Sequence, residues 1–92
     1  MFEWDEAKRL SNVRKHKVDF STVTQSDWNR ALIVEDDRRE YGEKRYWAFV
    51  LFEARLHVVV FVRRGAVRRL ISARKANSRE VRFYEAEIDR SN

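Results

Sequence analysis

The 92-residue sequence predicts an α+β fold: a small antiparallel sheet of about four to five strands, with N-terminal helices and a C-terminal helix. Three observations carry this. Three apolar stretches, Arg45 to Glu53, Leu56 to Arg63 and Val67 to Arg74, are separated only by Ala54-Arg55 and by Arg64-Gly65-Ala66, gaps that antiparallel hairpins alone can bridge. Near the N-terminus, Asp5 stands where a helix cap belongs, with Ala7, Leu10, Val13 and Arg14 following at helical spacing. Near the C-terminus, Asn77 and Glu80 stand three apart as a capping box, and Val81, Tyr84 and Ile88 recur with helical period beyond it.

In chain order, Phe2 to Trp4 alternates as a short strand, and the Asp5-capped helix runs through about His16. Its last turn, Arg14-Lys15-His16-Lys17, puts positive charge where the helix dipole favours it. Asp19 to about Asp27 can form a second short helix capped by Asp19 or Ser21, although Thr22, Val23 and Thr24 are weak helix formers. Alternation returns from Trp28 to Asp36, and Asp37 to Lys44 is a polar hairpin connection around Gly42. After the three long strands, the basic pair Arg74-Lys75 leads into a helix starting at Asn77 or Ser78. Strand, basic junction and helix form a phosphate-holding layout.

The strands carry apolar residues on both faces. Tyr46, Ala48, Val50 and Phe52 face one way and Trp47, Phe49 and Leu51 the other; Leu56, Val58, Val60 and Val62 lie opposite His57, Val59 and Phe61. An antiparallel sheet in a lone domain usually wets one face, so the second is covered either by the C-terminal helix or by another chain. Trp47, Phe49, Leu51 and Phe61 are the candidate partner contacts, to another protein chain or through self-association.

Composition narrows the function. At 43% hydrophobic residues with mixed charge, the chain is a folding domain rather than a disordered one, and its length is that of one domain. It has no cysteine, which fits a reducing cytoplasm; its N-terminus is charged where a signal peptide needs an apolar run, and no stretch approaches a membrane span. Residues 63 to 92 hold 9 basic and 4 acidic side chains and residues 1 to 62 hold 11 of each, so the last third supplies the whole net charge of +5. Such a field attracts polyanions, nucleic acid foremost.

No metal-ligand spacing is visible: His16 and His57 are far apart in sequence and the acids show no pattern. Gly42 and Gly65 are each explained by a turn, so there is no nucleotide-binding glycine loop, and no cofactor is expected. What remains is cationic and aromatic: Lys8, Lys15, His16, Arg63, Arg74, Lys75, Arg79 and Tyr84, with Arg82 on the last helix. RNA can be cut without metal because its 2′-hydroxyl is the nucleophile, leaving the protein to orient it, neutralise the phosphate and move protons. Arg74 is either a phosphate clamp or an ion-pair partner of Glu80. Glu80 is a capping residue or a base, Tyr84 a core or stacking residue or an acid, and His57 in mid-strand a structural residue.

Two stretches resemble one family. FEWDEAKRLSNVRKHKVDF, through Phe2, Glu3, Trp4, Asp5, Lys8, Asn12, Lys15 and His16, and LISARKANSREVRFYE, through Ile71, Ser72, Ala73, Arg74, Ala76, Glu80 and Tyr84, resemble the BrnT family of type II toxin-antitoxin ribonuclease toxins. The glycine the family has after His16 is Lys17 here, and the aspartate-proline after the second helix is missing. The resemblance implies a RelE-like fold and a metal-independent endoribonuclease that halts translation. The residues that match its pattern make Lys15, His16, Arg74, Glu80 and Tyr84 the catalytic candidates, and the basic residues noted above make Lys8, Arg63, Lys75, Arg79 and Arg82 the expected RNA contacts. The resemblance further implies a BrnA-type antitoxin that covers the toxin and reaches operator DNA through its own ribbon-helix-helix part. The competing expectation is a basic RNA-binding or corepressor module that cuts nothing.

Overall fold

In a computed structural model, which describes residues 1–37 and 42–91, the chain runs β1 (Phe2–Trp4), α1 (Glu6–His16), α2 (Phe20–Val23), a 3-10 turn (Trp28–Arg30), β2 (Leu32–Asp36), β3 (Arg45–Phe52), β4 (Arg55–Arg64), β5 (Val67–Lys75) and α3 (Ser78–Ser91). The strands form one sheet in the order β1-β5-β4-β3-β2. Strands β2 to β5 are antiparallel, as the short connections require. The fifth strand departs from a purely antiparallel sheet: β1 pairs in parallel with β5, Phe2 opposite Arg68 and Trp4 opposite Leu70, making the sheet mixed. Parallel entry is possible because the rest of the chain intervenes between β1 and β5.

The β3–β4 turn has the expected two residues but sits one position earlier. Phe52 pairs with Arg55, so the loop is Glu53-Ala54, and both residues take positive φ, 51° and 61°. That is the conformation Asn-Gly favours, adopted here by two residues with side chains. Residues 38–41 of the expected connection around Gly42 lie outside the described residues; Gly42 itself has φ 83°. The expected helix from Asp19 to Asp27 contracts to Phe20–Val23, because the β-branched run at Thr22 to Thr24 does not sustain it. Trp28, expected to open a strand, instead starts a 3-10 turn capped by Asp27, with its indole N–H donating to the Val23 carbonyl at 3.1 Å.

The main core lies on the sheet face that meets α1 and α2: Val18, Phe20, Val23, Ala48, Val50, Val59, Phe61, Leu70 and Ala73, edged by Trp4, Trp28 and Tyr46. Helix α1 turns a different face inward than its apolar spacing predicts. Ala7 is exposed and Leu10 is 46% exposed, while Asn12 is buried. Its amide donates to the Val18 and Ala73 carbonyls at 2.8 and 2.7 Å and accepts from the Ala73 N–H at 3.0 Å. Three hydrogen bonds in a dry interface outweigh the burial of Leu10 in setting the helix rotation.

The opposite face carries a smaller cluster of Phe49, Leu56, Val58 and Ala76, onto which Val81 and Tyr84 of α3 pack. Register corrects the expected partner surface. Tyr46 pairs with Phe61 and Trp47 with Val60, so Phe61 is on the core face, not beside Trp47, Phe49 and Leu51. Phe61 is fully buried against Tyr46 and Trp28, and Phe49 is buried under Phe83 of α3. What reaches solvent on this face is Leu51 at 55%, Phe83 at 41% and part of Trp47.

Candidate functional site

At the end of β5 the chain passes from Arg74-Lys75 through Ala76-Asn77 into α3. The Ala76 N–H donates to the Leu56 carbonyl at 2.9 Å, carrying the sheet pairing one step past the strand and fixing where the helix begins. The capping box is reciprocal. The Asn77 N–H donates to Glu80 Oε1 and the Glu80 N–H to Asn77 Oδ1, each at 2.9 Å, satisfying two backbone donors at the helix start.

Glu80 does a second thing at the same time. Its carboxylate accepts from Arg74 Nη1 and Nη2, both at 2.7 Å, a fork-to-fork pair across the junction. The Arg74 guanidinium, aided by the Asn77 backbone N–H, holds the Glu80 carboxyl below the ordinary carboxylate range despite its burial. A carboxylate so held is a poor proton acceptor, so the geometry favours Glu80 as the group that aims Arg74 over Glu80 as a base. The Arg74 side chain remains 32% exposed.

The basic last third is less uniform than its sequence. Arg64 pairs with Glu43 at 3.3 Å and Arg69 with Glu3 at 3.1 Å. Arg63 lies over the Tyr46 ring, and Arg68 over Phe2, Trp28 and Phe61. Lys75, Arg79 and Arg82 are exposed and make no ion pair among the described residues. Arg63 pairs across the sheet with Arg68, whereas Arg74 pairs with Val58, placing Arg63 roughly 20 Å along the strands from Arg74. The cations expected as one patch are therefore a cluster at the β5–α3 junction and a separate group at the far end of the sheet.

The candidates from α1 stand apart from this junction. Lys8, Lys15 and His16 are exposed, and their side chains form no hydrogen bond or ion pair among the described residues. Lys17 closes α1 in the left-handed conformation, φ 60°, doing without glycine what the family does with it. Asn12 ties this helix to Ala73, one residue before Arg74, but strand alternation sends Ala73 toward α1 and Arg74 toward α3. The structure thus brings together Arg74, Glu80 and the cations around them, and leaves Lys15 and His16 on the other side of β5. Tyr84 is half-buried on the Phe49 cluster, as a core residue.

Sequence reasoning missed Asn12 as the anchor of the site, although an Asn in mid-helix, poor in propensity, is a signal in itself. It also undervalued His57, which is 4% exposed and lines a cavity with Lys17, Asp19, Glu53, Arg55 and Lys75. No three His, Asp or Glu side chains among the described residues converge as a metal-binding group, and no described helix is long and apolar enough to cross a membrane.

Comparison with known proteins places this geometry in a family. The crystal structure of the Brucella abortus ribonuclease toxin BrnT is similar to it with a TM-score of 0.69 and 27% sequence identity, over 85% of this chain and 99% of that one. No curated protein sequence matches significantly. A family model described as the ribonuclease toxin BrnT of type II toxin-antitoxin systems matches residues 4–80, from the end of β1 through the Glu80 cap. The match contains both Asn12 and the Arg74–Glu80 pair, and the chain belongs to the BrnT family of ribonuclease toxins of type II toxin-antitoxin systems.

Proposed function

We propose that this protein is a metal-independent endoribonuclease that blocks translation in the cytoplasm by cutting RNA. The observation that carries the reading is the β5–α3 junction, where Arg74 is aimed by Glu80, with the exposed cations Arg79 and Arg82 on the helix that follows and Lys75 beside it on the other face of β5. In the proposed reaction the RNA 2′-oxygen attacks the adjacent phosphorus as the bond to the 5′-oxygen breaks; one proton leaves the 2′-hydroxyl and one reaches the leaving oxygen. Arg74 neutralises the phosphate in the transition state, as a preoriented guanidinium does best. Lys15 and His16 stand across β5 from Arg74, so they join Lys8 and Arg63 as proposed RNA contacts away from the reacting phosphate, and Tyr84 supports the Arg74 side of the sheet.

A BrnA-type antitoxin is the proposed partner, with operator DNA reached through it. The half-covered face of Leu51, Phe83 and Trp47 is the proposed contact, because an apolar patch rimmed by charge suits a protein surface better than RNA. Expression without the neighbouring antitoxin frame tests the enzyme: growth arrest with RNA decay is expected, and cleavage by the purified protein should persist in excess EDTA. Binding of RNA without any cutting would leave only a basic binding module.

A further inference from the structure

The cavity around His57 has no role in the reaction above. It measures about 340 Å³, within the small-ligand range, and lies between the Lys17 end of α1, the Glu53-Ala54 turn and the end of β5. His57 sits opposite Lys75 in the strand register, its ring packed edge-on against Phe52. Its Nδ1 is 2.8 Å from the Arg55 carbonyl oxygen. A carbonyl can only accept, so Nδ1 carries the hydrogen, and in the neutral ring Nε2 presents a lone pair. That lone pair has no hydrogen-bond partner among the described residues and opens to the cavity rather than being sealed in the core. Burial also holds the imidazole below its ordinary pKa, keeping it an acceptor at neutral pH.

The charges around it are unbalanced. Asp19 is committed to Arg9 at 2.8 Å and to the Ser21 N–H at 2.9 Å, so Lys17, Arg55 and Lys75 face only Glu53. Cations beside an unpartnered hydrogen-bond acceptor that lines the same cavity fit a ligand that is anionic at one end and donates a hydrogen bond at the other. A ribonucleotide has both, in its phosphate and its 2′-hydroxyl. The 2′-hydroxyl is the group that separates RNA from DNA.

We propose that this cavity is a ribonucleotide subsite, in which Lys75 and Arg55 hold a phosphate and His57 Nε2 accepts from the ribose 2′-hydroxyl. The inference rests on the ribonuclease reading and adds to it a second RNA contact. Because Lys75 and Arg74 are neighbours directed to opposite faces of β5, an RNA strand passing over the end of that strand meets the cavity and then the Arg74–Glu80 pair.

The test is titration of the purified full chain with adenosine 3′-monophosphate, its 2′-deoxy analogue and inorganic phosphate, following the His57 ring protons by NMR, with RNA cleavage assayed separately. The ribonucleotide should move the His57 signals and bind about threefold to tenfold more tightly than the deoxy analogue, as one hydrogen bond to a neutral acceptor dictates. His57→Gln should remove that preference, and Lys75→Ala, at an exposed position that leaves folding unaffected, should weaken both nucleotides alike. Equal binding of the deoxy analogue, a response to inorganic phosphate alone, or silent His57 signals in a protein that cuts RNA would overturn the subsite. A ribose-selective response in a protein that leaves RNA intact would uphold the subsite and overturn the enzyme reading instead.

Discussion

Asn12 and Ala73 pair as two strands would: the side-chain amide accepts from the Ala73 N–H at 3.0 Å and donates to its carbonyl at 2.7 Å. Pairing of β1 with β5 stops at Leu70, so Asn12 supplies, from a helix, the next hydrogen-bonding partner along that edge. The remaining amide hydrogen goes to Val18, which ties down the loop after α1. One side chain therefore sets the rotation of α1, the path of the chain into α2 and the position of the strand end that carries Arg74.

Replacing Asn12 with Asp should be more damaging than its size suggests. The carboxylate would oppose two carbonyl oxygens in a dry site, and the cost should exceed about 3 kcal/mol; Asn12→Ala should cost about 2–4 kcal/mol from unsatisfied backbone groups and lost packing. Urea denaturation followed by tryptophan fluorescence measures both. A loss under 1 kcal/mol in either variant would mean that water replaces the amide at no cost.

Arg74 and Glu80 should couple in a double-mutant cycle. Arg74→Ala and Glu80→Ala each break the bidentate pair, and Glu80→Ala also opens the capping box, so the two losses should overlap by about 0.5–2 kcal/mol. Cleavage should separate the residues. Arg74→Ala should abolish activity and Arg74→Lys restore only part, while Glu80→Gln, which can still cap the helix, should retain a measurable fraction. Loss of all cleavage in a stable Glu80→Gln protein would assign Glu80 to the chemistry.

The same pair sets an acid response. Because the folded-state pKa of Glu80 is depressed below 4.5, its contribution is present above that pH and is lost as pH falls through the folded value. Wild-type stability should therefore drop more steeply below about pH 4.5 than that of Glu80→Gln, and the two should converge in strong acid. Denaturation midpoints at a series of pH values from neutral downward decide this. Parallel curves would show that Glu80 titrates alike in the folded and unfolded chains.

Much of this fold is legible in the sequence because short-range chemistry specifies it. The short gaps force the β3–β4–β5 hairpins, each turn falling within one residue of its expected place, and Asp5 and the Asn77–Glu80 box mark the helix starts where they stand. What was not legible depends on partners distant in sequence. The parallel seat of β1 on β5, the inward turn of Asn12 toward a residue 61 positions away, and the cross-strand match of Tyr46 with Phe61 are all long-range pairings. Register is the sharpest case: grouping Phe61 with Trp47 put a core residue on the partner face, since a one-residue slip in pairing moves every side chain to the other face. The site was half legible for the same reason. Arg74 and Glu80 are local, whereas the ion pairs that tie down Arg64 and Arg69 are not.

That distinction predicts the salt dependence of RNA binding. Lys75, Arg79 and Arg82 are exposed and carry no ion pair among the described residues, so each removed as Ala should lower the slope of log K against log salt by about 0.7. Arg64 and Arg69, engaged with Glu43 and Glu3, should change the slope little when removed. Equal slopes for all five variants would mean that RNA reads net charge alone.

The turn at Glu53-Ala54 should be improvable. Ala54 holds φ 61° against its own Cβ, where glycine would hold it freely, so Ala54→Gly should raise stability by about 0.5–1 kcal/mol after allowance for the looser unfolded chain. Thermal denaturation reads the gain, and a loss would show that the turn is held without strain.

The exposed apolar face makes the last prediction. Leu51 is open to solvent and can be changed without opening the core, whereas Phe83 is partly exposed but also covers the buried Phe49 ring. Leu51→Lys should shift stability by no more than about 0.5 kcal/mol, the usual range for surface substitutions, and Phe83→Lys should cost about 0.5–1.5 kcal/mol more through the lost ring contact with Phe49. Both should weaken binding to the co-encoded antitoxin, or dissociate self-associated protein, by about tenfold or more if these side chains sit at the centre of the contact. Phe49→Ala should differ in kind, costing about 3–5 kcal/mol in folding before any partner is added. Because the contact is apolar at its centre, its affinity should hardly move with salt, while RNA binding through Lys75, Arg79 and Arg82 should fall steeply. Analytical ultracentrifugation of the three variants, with and without the antitoxin, at low and high salt separates these effects. Wild-type affinity in both surface variants would place the partner elsewhere on the molecule, and a contact that weakens with salt as steeply as RNA binding would place it on the basic junction.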